Sequence, residues 1–217
     1  MVNSFQTKPA WLQTAFPQVQ DYDLLIGWDC EFYTDSKDPC KNELISYQFA
    51  VYYQKKEKYF EKIIYSKDRR TLQDLLLELF EELGITQYQT NPKMVDKKLN
   101  FFEILLVAHY SKAEWSMLKK RHLLIEELVE MQGTLASVGA FDLPIDHKDR
   151  AQKIKVTWRD TYLFTDKKGR SLQKISESCF NKKIEIPQSS KEAMNVFAKK
   201  NPVQFEEYAL NDARIAL

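Results

Sequence analysis

Residues 24–33 read LLIGWDCEFY, an apolar, β-favouring run that carries two carboxylates, Asp29 and Glu31, at its far end. A run this apolar reads as a buried strand, which must lie inside a sheet covered on its faces. Side chains alternate along a strand, so residues two apart share one face. Asp29 and Glu31 therefore stand side by side, with Cys30 turned to the opposite face, into the core. Two neighbouring carboxylates repel one another unless a cation lies between them. Alone, the pattern equally fits two acids facing solvent at a strand edge.

The rest of the chain supplies the sheet. Residues 43–54 (ELISYQFAVYYQ) alternate as a second strand and 58–66 as a third, with short polar turns joining all three into hairpins. From Thr71 to Leu83 the apolar residues fall at 72, 75, 76, 79, 80 and 83, one face of a helix, with Gly84 placed to cap it. Residues 85–100 are polar, and Asn91-Pro92 marks a loop. FFEILLVAHY (101–110) is a buried strand, followed at once by a helical pattern from about Lys112 to Met131. Gly133 and Gly139 open a region, including FDLPIDHKDR, whose pattern decides little. KIKVTWRDTYLFT (153–165) returns to alternation, and 171–179, about 189–199 and 202 to the end read as helices. Residues 1–20, with Pro9, Pro17, Trp11 and Phe16, read as an arm packed over the domain. The sum is an α/β chain, a mixed sheet of three antiparallel strands plus parallel ones with helices on its faces. That order fits an RNase H-like fold, although several α/β arrangements share it.

Two further constellations carry acids. In LLVAHYSKAEWSML (105–118) a strand ends at His109, and Glu114 sits in the first turns of the helix that follows. An acid there points back over the strand end, toward Asp29 and Glu31 if the strands are neighbours; equally, it complements the positive helix N-terminus. In FEEYALNDARIAL (205–217), Tyr208 and Asp212 are four apart, one turn from each other on a single helix face. An ordinary amphipathic helix, with Phe205, Ala209 and Ile215 packed and Asp212 solvated, has the same look.

Each signal is common, but their conjunction and order are not. Together they resemble the tyrosine branch of the DEDD 3′–5′ exonuclease superfamily, whose members include the proofreading domains of family-B DNA polymerases. Its first motif, DxE in a strand, is matched by Asp29 and Glu31, and its third, YxxxD, by Tyr208 and Asp212. The second motif usually ends in aspartate; AHYSKAEW keeps the histidine and the spacing but offers Glu114. VTWRDTYLF (156–164) and the SLQKISE that follows also look like the family's segment between second and third motifs, so the resemblance spans about 24–217. It implies a two-metal phosphodiesterase using Mg²⁺ or Mn²⁺, since carboxylate and water ligands suit these ions better than zinc. By the same resemblance Asp29 bridges both ions, Glu31 and Asp212 complete the nucleophile-side site, and Glu114 serves the second ion through water. Tyr208 orients the attacking water. The extra methylene of Glu114 leaves three outcomes: a backbone shift that absorbs it, a relaxed metal preference, or weak activity; retained activity is the reading taken.

Around these acids, Phe32 and Tyr33 are the candidates to stack on a terminal base, and His109 and Lys112 the candidates to touch substrate, although His109 also reads as a structural histidine. Trp28 and Trp115 read as core. Between His147 and Arg170, eight basic residues face three acids, and Lys182, Lys183, Lys191, Lys199 and Lys200 follow. A basic flank of this kind gives salt-sensitive, sequence-independent phosphate affinity.

Composition bounds the rest. The 217 residues are 44% hydrophobic and 13% aromatic, enough for a sizeable core, and the charges balance at 32 basic to 31 acidic. Bulk electrostatics therefore announces no polyanion partner. Three cysteines without a CxxC pair argue against a disulfide framework or structural zinc. With no long apolar span and no signal-peptide pattern, the expectation is a soluble cytoplasmic domain with no membrane association. The third-motif tyrosine and the motif order look polymerase-like, which points to single-stranded DNA as partner ahead of RNA. An RNA 3′-trimming enzyme and a degenerate nuclease fold kept as a nucleic-acid-binding module stand as alternatives. The sequence stops five residues after Asp212, as an exonuclease domain of a longer polymerase chain would.

Overall fold

The computed structural model describes residues 6–7, 22–35, 38–86, 89–90, 100–147, 150–164, 171–178 and 182–217. The apolar run becomes β2 (Leu24–Asp35), the centre of a mixed sheet. Six strands carry that sheet in the order β4 (Lys58–Tyr65), β3 (Asp38–Tyr53), β2, β6 (Asn100–Ala108), β10 (Arg150–Asp160) and β9 (Phe141–His147). Two-residue strands β1 (Gln6–Thr7) and β5 (Gln89–Thr90) pair with β4 and β6. β3 runs antiparallel to both β2 and β4, whereas β2–β6 and β6–β10 are parallel. The outer strand β9 is antiparallel to β10. Helices flank this α/β sheet, and the arrangement is compatible with an RNase H-like fold. Of the N-terminal arm expected over 1–20, only Gln6 and Thr7 lie among the described residues, and the polar loop 91–99 lies outside them.

A parallel pair needs a crossover, and α1 (Leu72–Leu83) supplies the one between β4 and β6. The Thr71 hydroxyl and the Asp74 carboxylate satisfy each other's backbone N–H groups at its start, and Gly84 at φ +65° ends it. The six apolar positions read from the sequence are its buried face. They pack on the even-numbered side of β2, where Leu24, Ile26, Trp28 and Cys30 meet Tyr47, Phe49 and Val51. Trp158 stands edge-on to Trp28, centroids 5.2 Å apart.

The odd-numbered side of β2 is covered by the last helix, α6 (Pro202–Ala216). Here one residue sets the spacing. A Cβ on Gly27 would lie 2.2 Å from the Ala213 carbonyl oxygen and 2.7 Å from Leu217 Cβ, so only glycine lets the helix backbone come this close. Arg214 then ties the helix to β4 through a two-pronged contact with Glu61, at 2.5 and 2.6 Å.

Three expectations change. The helix expected from Lys112 to Met131 is instead α2 (Lys112–Ser116), a 3₁₀ turn at Arg121–Leu124 and a strand, β7 (Leu128–Met131), paired with β8 (Thr134–Ser137). Lys120 at φ +54° interrupts the helix, and Gln132 and Gly133, at +53° and +89°, make the tight turn that a two-residue hairpin needs. Met117, Leu118, Leu124 and Leu128 are all buried, but from separate short elements whose spacing mimics one helix face. The segment expected as a helix over about 189–199 is α4 (Gln188–Glu192) and α5 (Met194–Lys200), broken at Ala193. FDLPIDH is β9, with Phe141, Leu143 and Ile145 buried in alternation and Pro144 tolerated on an edge strand. The helix expected over 171–179 is α3 (Leu172–Ser178). No helix among the described residues is long and apolar enough to cross a membrane.

The Gly27 contact makes a sharp expectation. Gly27→Ala should cost about 1–3 kcal/mol in urea unfolding, as overpacking does. Gly139→Ala, where an added Cβ meets nothing within 4 Å, should stay within about 0.5 kcal/mol of wild type. Equal stability of the two variants would show that helix and strand are not in contact at Gly27.

Candidate metal centre

Asp29 and Glu31 project from β2 on the side that α6 covers, two rungs beyond Gly27. The close approach at Gly27 brings Asp212, one turn after Tyr208, down onto them. One carboxylate oxygen from each of Asp29, Glu31 and Asp212 lies within 4.8 Å of the others, close enough to share a cation. Glu31 and Asp212 are buried and Asp29 is half-buried. Glu114, on α2, is buried outside this triad, and its carboxyl lies within electrostatic reach of Asp29.

Four carboxyl groups in so little water cannot all be charged. Burial, with the Asp212 charge next, pushes the Asp29 carboxyl up to about 8, against a pull downward from Lys183. Glu31 and Glu114 are held well above the ordinary carboxylate range, first by burial and then by Asp29. Asp212 is raised by burial, although the Lys183 ammonium 2.8 Å from its Oδ2 opposes this. Two buried oxygens, Asp212 Oδ1 and Glu114 Oε2, have no hydrogen-bond partner among the described residues. Orphaned buried acceptors beside clustered acids are what a bound cation would satisfy.

Lys183 is the site residue that the sequence hides. It reads there only as part of a basic flank, and the fold brings it in from the segment after α3. Asn211 holds that segment: the Ile184 N–H donates to its Oδ1 at 2.8 Å, and its Nδ2 donates to the Lys182 carbonyl at 3.3 Å. A buried asparagine in mid-helix, a poor helix former, is the available signal. Ser46 and Gln48 are also fully buried here, opposite Glu31 and Asp29 in the β2–β3 register. Two paired strands turning polar at the same rungs mark a polar site under the covering helix. Tyr208 is buried, and its phenol is raised by burial and then by the charges of Glu31, Asp212 and Asp29.

The remaining candidates sit further out. His109 is half-buried, Nδ1 2.9 Å from the Thr161 hydroxyl, and burial lowers its pKa. Lys112 is paired with Glu130 at 3.1 Å. Phe32, just past a bulge in the β2–β3 pairing, packs on the core, and Tyr33 is half-buried. Trp28 is fully buried, Arg121 lies 4.8 Å over the Trp115 ring, and Cys30 points into the core. Of the basic flank, Lys148, Lys167, Lys168 and Arg170 lie outside the described residues, and Lys153 pairs with Asp142.

Fold and site together define an α/β protein with a buried acidic triad that could bind a metal ion. Compared with known protein families, curated proteins and solved structures, the chain finds no match.

The raised carboxyls give a signed pH dependence. The folded state holds the Asp29 proton up to about pH 8, far above the ordinary value of 3.8. Its contribution therefore favours folding at low pH and is lost as pH rises through that interval. In EDTA the melting temperature should fall between pH 6 and 8.5, while excess Mg²⁺ or Mn²⁺ should remove the fall, because metal ligation needs the deprotonated form. Asp29→Asn should make the fall in EDTA shallower, the rest coming from Glu31 and Glu114, which are raised as well. Melting curves indifferent to metal at pH 8 would show that the triad holds no ion.

Proposed function

We propose that the protein is a two-metal 3′–5′ exonuclease that hydrolyses phosphodiester bonds at single-stranded or frayed DNA ends, using Mg²⁺ or Mn²⁺. The observation that carries this reading is the meeting of Asp29, Glu31 and Asp212 from a strand and a distant helix, with the buried Glu114 in electrostatic reach of Asp29. Asp29, Glu31 and Asp212 would hold one ion, and Asp29 with Glu114 a second. When bound, such ions activate water and neutralise charge on a phosphodiester.

The chain's own groups divide the remaining work. Burial first, and then three neighbouring carboxyls, push the Tyr208 phenol above its ordinary value, which keeps its proton on. Tyr208 therefore acts as a hydrogen-bond donor that orients a water or phosphate oxygen, not as a base. Lys183 places a cation beside Asp212, where it can turn to a phosphate oxygen once metals neutralise the acids. Covering helix and strand limit water at the acids, which strengthens each of these interactions.

The test is cleavage of 5′-labelled single-stranded DNA and RNA of matched sequence in Mg²⁺, Mn²⁺ or EDTA. A metal-dependent ladder shortening from the 3′ end, stronger on DNA and absent with Asp29→Ala, is expected. Tyr208→Phe should lower the rate about 10²-fold or more while leaving the fold intact. A stronger ladder on RNA would make the enzyme an RNA trimmer. Salt-sensitive binding without cleavage in either metal would make it a nucleic-acid-binding module.

A further inference from the structure

One acid near the centre belongs to no motif. Asp160 ends β10, beside Ala108 at the end of β6, and is fully buried. Its Oδ1 accepts from the Tyr110 N–H at 3.0 Å and the Tyr162 N–H at 2.8 Å. Its Oδ2 accepts from the Ser111 N–H at 2.6 Å and from the Thr134 hydroxyl. A carboxylate offers about four lone-pair sites, and all four are taken. Asp160 is thus filled by its own loops and is not a further metal ligand.

What those bonds hold is unusual. Tyr110 sits at φ +63°, the left-handed region that a bulky residue avoids, and the residue is 45% exposed. Tyr162, held by the same Oδ1, lies edge-on to it with centroids 5.7 Å apart. Phe164, which closes the 3₁₀ turn Thr161–Leu163 that carries Tyr162, is 71% exposed. The backbone is therefore strained to keep an aromatic ring out in solvent, and a buried carboxylate enforces it. This rim lies beside the acids, since Tyr110 is four residues before Glu114 and His109 is within electrostatic reach of Lys183.

We propose that Tyr110 and Tyr162 form a stacking step for an unpaired base of a single-stranded nucleic acid entering the acidic centre, with Asp160 as the positioning residue that sets both rings. The choice of ligand rests on the nuclease reading, because the rim itself selects only a flat aromatic face next to a phosphate-handling site.

The experiment titrates dye-labelled oligo-deoxythymidylate and oligo-uridylate against the whole protein in Ca²⁺, with strand integrity checked on a gel. Tyr110→Gly is the informative variant, since glycine adopts the left-handed backbone freely and its melting temperature should not fall. Its affinity should drop about tenfold, a loss in the range of one stacked base, while Tyr110→Phe binds as wild type. Asp160→Asn should weaken binding likewise, and in the Tyr110→Gly background its effect should shrink to what Tyr162 alone contributes, a non-additivity that general loosening would not produce. An oligonucleotide abasic at its 3′-terminal positions should bind wild type and Tyr110→Gly equally. Wild-type affinity in Tyr110→Gly, or no binding of either strand, overturns the stacking step; if that protein still cleaves with Mn²⁺, the nuclease reading survives alone. Ring-dependent binding with no cleavage in Mg²⁺ or Mn²⁺ upholds the step and removes the nuclease. The ratio of the two strands' affinities tells DNA from RNA.

Discussion

The contact between α6 and β2 at Gly27 is the constraint on which the site depends. A helix resting on a sheet ordinarily keeps a side chain's thickness between the two backbones. Here no side chain intervenes, and the Ala213 carbonyl lies where a Cβ would stand. One helical turn before Leu217, that proximity lowers Asp212 onto the two acids of β2. Arg214, with both prongs on Glu61, prevents the helix from rotating about its own axis. Side-chain packing on the other face of β2, anchored by Trp28, Phe49 and Trp158, keeps the strand itself from yielding. The acids are thus pressed together by a core that does not need them.

That pressure has an electrostatic consequence. Clustered, buried carboxyls destabilise the fold whenever they are charged, and among the described residues Lys183, paired with Asp212, and Lys191 set positive charge against them. Asn211 spends its whole amide on the backbone that carries Lys183. Adjacent residues of one helix therefore perform opposite tasks, Asp212 adding negative charge and Asn211 delivering the positive charge that moderates it. A site left short of countercharge in this way could bind a metal ion, and stability conceded there is compensated by the apolar side of the sheet.

The other end of the site follows from parallel strands. β2, β6 and β10 end on the same edge of the sheet, the edge where open α/β sheets offer their crevices. Asp160 gathers the loops that leave β6 and β10 and the start of β8 into one hydrogen-bonded knot. Because Glu114 follows that knot by a few residues, the arrangement that exposes Tyr110 also sets where α2 begins.

The sequence was most legible where geometry is local. Strand alternation put Asp29 and Glu31 on one face and Cys30 on the other, helical spacing found the buried face of α1, and a four-residue separation put Tyr208 and Asp212 on one face of α6. Each follows from a repeat fixed by backbone geometry, whatever the rest of the molecule does. It was misleading between Lys112 and Met131, where a turn, a 3₁₀ segment and a hairpin bury leucines at nearly helical intervals. It was silent on Lys183, on the polar pair Ser46 and Gln48, and on the role of Asp160, because each depends on a partner tens of residues away. The sequence by itself determined which acids exist, which faces they share and which strands are buried. Only the tertiary structure decided that a glycine, by having no side chain, would let a helix nearly two hundred residues later bring the third acid to the first two, since distance in space is set by packing and not by order along the chain.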